Sequence, residues 1–140
     1  MSRKETEKKA SDYFDSGFNC AESVLKATME SRVDNVSPEL PKIASALGGG
    51  VGGSHEELCG ALSGGVLAIG LLYGRTEPEV DVQFAKDLAT EFRARFLKEF
   101  GTTKCGVLLE RFGEQDNDDK CAELTGAAAA LLSDLLDEQK

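Results

Sequence analysis

PEVDVQFAKDLATEFRARFLKEF, residues 78–100, is the stretch on which the fold turns. Val80, Phe84, Leu88, Phe92, Phe96 and Phe100 return every four residues, flanked by Ala85 and Ala89, while Asp87, Glu91, Arg93, Lys98 and Glu99 mostly take other faces. Apolar residues at that spacing line one side of an α-helix and do not fit a strand, whose side chains alternate with period two. The spacing predicts a helix over 78–100 that carries much of the core.

Working outward, no segment competes as a strand. Residues 58–73 are uncharged and largely apolar, but 16 residues fall short of the ~20 needed to cross a bilayer. They read as a buried helix, with Ser54 and Glu57 at capping-box spacing ahead of it and Gly74 at its end. Residues 4–16 place Ala10, Tyr13 and Phe14 on one side of a short helix closed by Gly17. Asn19 and Glu22 make a second capping-box pair before the stripe Ala21, Val24, Leu25, Thr28 and Met29, which closes at 34–37. Pro38 suits the first turn of a third helix with Leu40, Ile43, Ala44 and Leu47, running into GGGVGG at 48–53, where no regular helix survives. Beyond Gly101, Thr102 or Thr103 can cap a short helix through Val107, Leu108, Leu109 and Phe112, stopped by Gly113. Asp118 or Asp119 caps the last helix, with Cys121, Leu124, Ala128, Leu131 and Leu135 on one face. The expected architecture is all-α: a single-domain bundle over 1–140 of about six to seven short helices, with a glycine-rich loop before a buried helix.

Composition narrows the function. The chain has 140 residues, 41% apolar and 29% charged, and a net charge of -9, which argues against a nucleic-acid or anionic-membrane surface. Acid concentrates at the end, where residues 113–140 hold 8 acidic and 2 basic side chains. The charged N-terminus lacks the apolar core of a secretory signal, so the expected location is the reducing cytoplasm, without membrane insertion. Four cysteines are too few for a disulfide scaffold, and none forms a Cys-x-x-Cys knuckle. No general acid/base pair, Ser-His-Asp arrangement or cofactor fingerprint is present, which leaves a thiol-dependent oxidoreductase as the open enzymatic class.

Cys20, Cys59, Cys105 and Cys121 are scattered in sequence, yet each falls at or near a predicted helix start, Cys59 in the second turn after Ser54. The partial positive charge there favours the thiolate, which is both nucleophile and metal ligand. Each could instead be a small buried hydrophobe, and Cys121 fits that best. Packing alone, however, has no reason to put four cysteines at helix starts. Ten of the fifteen glycines lie within residues 48–74. Gly60 and Gly64, with Ala61 and Gly65, leave a helix face without bulk, so another backbone or a ligand approaches there, and these two glycines are the candidate cofactor contacts. GGGVGG has no following Gly-Lys-Ser/Thr and no preceding strand, against a nucleotide site. A flexible loop there would instead let a thiol, a cluster or a partner reach Cys59. His55, the one histidine, either shares a helical side with Cys59 or is a solvated first-turn residue.

Cys59-Gly60-Ala61-Leu62-Ser63-Gly64 resembles the centre of the bacterial and archaeal C_GCAxxG_C_C family of redox-active proteins. Its pattern is one cysteine, a Cys-Gly-Ala-x-x-Gly centre and two further cysteines. The likeness extends through Phe18-Asn19-Cys20-Ala21, the glycine run, Gly70 to Tyr73-Gly74, Phe100-Gly101 before Cys105, and Cys121 with its helix. It implies that Cys20, Cys59, Cys105 and Cys121 are the family's four cysteines. Members are often encoded beside transporter genes, implying a redox partner protein or transporter-associated system.

Three functions follow as expectations. The first is thiol/disulfide exchange, with Cys59 as the exposed attacking thiol and Cys20 or one of the C-terminal pair as resolving partner. In the second, all four cysteines hold an iron-sulfur cluster or another thiophilic metal. The third is a helical partner-binding module in which the cysteines only pack. Interior glycines in so small a helical chain also suggest a homodimer.

Overall fold

The computed structural model describes residues 1–139. It contains α1 (Arg3–Asp15), α2 (Cys20–Arg32), a 3-10 helix (Leu40–Ala44), α3 (Gly60–Tyr73), α4 (Gln83–Phe100), α5 (Cys105–Phe112) and α6 (Asp119–Asp137). The chain is all-helical, and among the described residues the one β feature is an isolated bridge between Leu58 and Lys104. Also among the described residues, no helix is long and apolar enough to cross a membrane.

The aromatic stripe works in its middle. Leu88, Phe92 and Phe96 are buried and Phe100 packs at the edge of the core, whereas Phe84 is 50% and Val80 51% exposed. A residue that recurs every four positions on a helix with 3.6 residues per turn advances about 40° each time, so a five-step stripe must leave the core at one end. The start also differs from expectation: α4 begins at Gln83, whose N–H donates to the Asp81 carboxylate (2.8 Å), and the preceding residues form turns.

The contacts among α1, α2 and α6 run through small residues. Ala10, Ala27 and Ala129 form a fully buried cluster where α1, α2 and α6 meet. At Gly126 a Cβ would run into Ser11 and Glu7 of α1. A capping box from Ser2 and Glu5 starts α1, and one from Asn19 and Glu22 starts α2. The expected third helix is only the five-residue 3-10 segment with Ile43 53% exposed. Pro41 explains this, because it removes an N–H and biases Leu40 away from α geometry. α3 buries Leu62, Ala68 and Ile69 on its inner face but leaves Val66 and Leu71 exposed, so it is half-buried rather than enclosed.

Candidate functional site

All four cysteines line one cavity of about 220 Å³. Cys20 is the first residue of α2, Cys59 the cap of α3, Cys105 the first residue of α5 and Cys121 the third of α6. Phe14, Leu108, Leu109, Phe112 and Leu124 make most of the rest of the wall apolar, with His55 and Asp118 also lining it. All four are free thiols; Cys59 and Cys105 are buried, Cys20 and Cys121 half-buried.

The glycine run is an ordered device. Gly49, Gly50, Val51, Gly52 and Gly53 have φ of 66, 69, 67, 64 and 72°, five successive residues in the left-handed region. For side chains with a Cβ that conformation costs roughly 1–2 kcal/mol per residue, which is why four of the five are glycine. The turn is tied by N–H groups of Val51, Gly52 and Gly53 donating to the carbonyls of Leu47 (3.1 Å), Ala46 (2.8 Å) and Gly48 (3.1 Å). Asn19 fastens it to α2, donating through its side-chain amide to the Ser45 carbonyl (3.0 Å). The flexible access loop expected here is therefore a fixed turn, and Gly49 faces Cys20 across the cavity wall.

Ser54 and Glu57 do not cap α3, and Cys59 is not in a second turn. The Ser54 hydroxyl donates to the Gly50 carbonyl (2.7 Å) and accepts from the Glu56 N–H (3.2 Å), closing the glycine turn instead. His55, at φ 63°, is an exposed loop residue that shares no helix with Cys59. Its N–H donates to the Gly49 carbonyl (2.8 Å). The chain then runs antiparallel to residues 103–105: Cys59 N–H donates to the Thr103 carbonyl (2.8 Å) and Cys105 N–H to the Glu57 carbonyl (3.0 Å). This short bridge brings the starts of α3 and α5 together with their cysteines. Neither Thr102 nor Thr103 caps α5, since Lys104 holds the cap position; Thr102 accepts from the Lys104 N–H (3.2 Å) in the preceding turn.

Cys121 is positioned by a residue that the sequence reading missed. The Gln115 side-chain oxygen accepts from the N–H groups of Lys120 and Cys121 (both 3.0 Å), and its amide nitrogen donates to Cys121 Sγ (3.5 Å). Gln115 thus does the work expected of Asp118 or Asp119. Asp118 occupies the cap position in left-handed geometry and makes no side-chain cap bond.

At Gly60 a Cβ would overlap Cys20 Sγ, and at Gly64 it would overlap the Ala21 carbonyl. The bulk-free face of α3, where Gly60 and Gly64 were the candidate cofactor contacts, is taken up by α2. Cys20 Sγ consequently lies against Gly60, the residue that follows Cys59.

The four thiols are chemically unequal. The Cys59 thiol, acting as donor, and then the backbone N–H groups of Gly49, Ala21 and Cys20 itself pull the Cys20 thiol down to about 6, against the opposing effect of burial. Cys59 moves the other way, well above the ordinary thiol range, because its proton serves Cys20 and because it is buried. Burial, and then the charges of Cys20 and Cys121, push Cys105 up. Burial also pushes Cys121 up, joined by Asp118, Cys20 and Asp119 and opposed by Gln115. Cys59, expected as the exposed attacking thiol, is buried and shifted upward, and Cys20 is the thiol shifted downward.

A shared metal centre needs donors around one point. Among the described residues, no three or more His, Cys, Asp or Glu side chains are grouped to hold a metal ion. Cys20, Cys59, Cys105 and Cys121 share a wall without converging, so this arrangement does not fit a four-thiolate cluster.

Fold and site together define an all-helical protein with four free cysteines on one cavity. The chain belongs to the C_GCAxxG_C_C family: the family model described as "Putative redox-active protein (C_GCAxxG_C_C)" matches residues 18–135, which include all four cysteines. No curated protein and no solved structure matches the chain.

Proposed function

We propose that the chain carries out thiol/disulfide exchange, with Cys20 as the attacking thiolate and Cys59 as the resolving thiol. The observation that carries this reading is geometric: Cys20 Sγ lies against Gly60, the residue that follows Cys59, and both cysteines line the same cavity. Cys20 attacks one sulfur of a disulfide RS–SR, forming a mixed disulfide and releasing RS⁻. Cys59 then attacks Cys20 Sγ; its proton leaves with the second RSH, and a Cys20–Cys59 disulfide remains. Two electrons pass from the protein to the substrate, and exchange with a dithiol returns them. No cysteine pair stands at disulfide distance, so closing the bond requires the starts of α2 and α3, already in contact at Gly60, to shift against each other.

Disulfide mapping by peptide mass spectrometry after oxidation with a small disulfide tests this. The expected product is a Cys20–Cys59 link that is absent from Cys20→Ser. A dominant Cys105–Cys121 link, or iron and acid-labile sulfide in anaerobically prepared protein, overturns it.

A further inference from the structure

Resting on the exchange reading, we infer that the cavity selects small disulfides without negative charge, neutral or cationic, and discriminates against anionic ones such as glutathione disulfide. Size is the first argument. A space of about 220 Å³ walled by Phe14, Leu108 and Phe112 favours a compact, apolar disulfide over the long polar arms of a tripeptide.

Charge is the second argument. No lysine or arginine lines the cavity; besides His55, the one ionisable side chain there other than the four cysteines is Asp118. The field it makes is felt inside, since Asp118 and Asp119 both act on Cys121, and Cys20 acts on Cys105 and Cys121. With a net charge of -9 behind it, the cavity repels an anion on approach and has no lysine or arginine on its wall to hold one on arrival. The exchange itself is unchanged: the substrate disulfide accepts two electrons, leaves as two thiols, and the Cys20–Cys59 bond forms.

The experiment follows oxidation of the reduced full-length protein by 2-hydroxyethyl disulfide (neutral), cystamine (dicationic) and glutathione disulfide (anionic). Each rate is divided by that of the same disulfide with a free cysteine peptide, which removes differences in intrinsic reactivity. The expected result is that the first two exceed glutathione disulfide by about tenfold or more, a gap of the size that electrostatic steering produces. About 1 M salt, which cuts the screening length to roughly 3 Å, narrows it. So does Asp118→Asn, a change that keeps a residue tolerant of left-handed geometry. Glutathione disulfide reacting as fast as the neutral probe overturns the substrate class while leaving the exchange reading standing. No reaction with any of the three, in protein whose Cys20 still alkylates, overturns the exchange reading itself.

Discussion

Cys20 and Cys59 are the same residue type, both at helix starts, and differ in who donates to whom. A hydrogen bond to a charged group is worth about 1.5–3 kcal/mol, equivalent to a pKa change of about 1 to 2. Replacing Cys59 by Ala should therefore raise the apparent pKa of Cys20 by about that much, read from thiolate absorbance against pH. Cys59→Ser, which keeps an O–H donor, should raise it much less. Val51 makes a different point at this scale. A β-branched residue at φ 67° and 45% exposed is strained and gains little burial in return. Val51→Gly should stabilise the protein by about 1 kcal/mol, seen as a melting temperature higher by a few degrees.

At the scale of elements, the α2–α3 contact sets the site. A Cβ at Gly64 meets α2 backbone, which cannot yield, so Gly64→Ala should cost roughly 1–3 kcal/mol and disturb Cys20. Gly70 on the same helix has nothing within 4 Å, and Gly70→Ala should instead stabilise by about 0.5–1 kcal/mol; denaturant midpoints for the two variants should move in opposite directions. Elements encoded by local signals were legible in sequence: the Asn19–Glu22 box, the middle of the α4 stripe, and the stops at Gly101 and Gly113. What escaped depends on distant partners. Ser54 and Glu57 have capping-box spacing, but the backbone from Glu57 to Cys59 pairs with residues 103–105, more than forty positions away, so α3 starts only at Gly60. The cap of α6 comes from Gln115, outside the helix. Five glycines in six announced an unusual backbone without its handedness, which decides whether the run is a flexible loop or a cradle. The four cysteines were legible as a set, whereas their ranking depends on burial and donors that only the packed helices supply.

Across the whole molecule, the thiols couple stability to pH. The native pKa of Cys20, about 6, lies below the about 8.5 of an unfolded thiol. Between those values the unfolded chain binds more protons at this site, so its contribution to stability grows as pH rises and is lost as pH falls through about 6. Cys59, Cys105 and Cys121 are shifted upward, so their contribution is full below the unfolded value and is lost as pH climbs above it. Urea midpoints should rise from about pH 6 to about pH 8.5 and decline beyond, and Cys20→Ser should flatten the rising limb. The central claim, one activated thiolate among four thiols on a shared cavity, is tested most directly by alkylating the reduced native protein in short pulses at stepped pH and quantifying each cysteine by mass spectrometry. The predicted result is that Cys20 reacts first, with a midpoint near pH 6, while Cys59, Cys105 and Cys121 stay unmodified until well into alkaline solution. Equal labelling of all four near the ordinary thiol pKa, or Cys59 labelling ahead of Cys20, would contradict it.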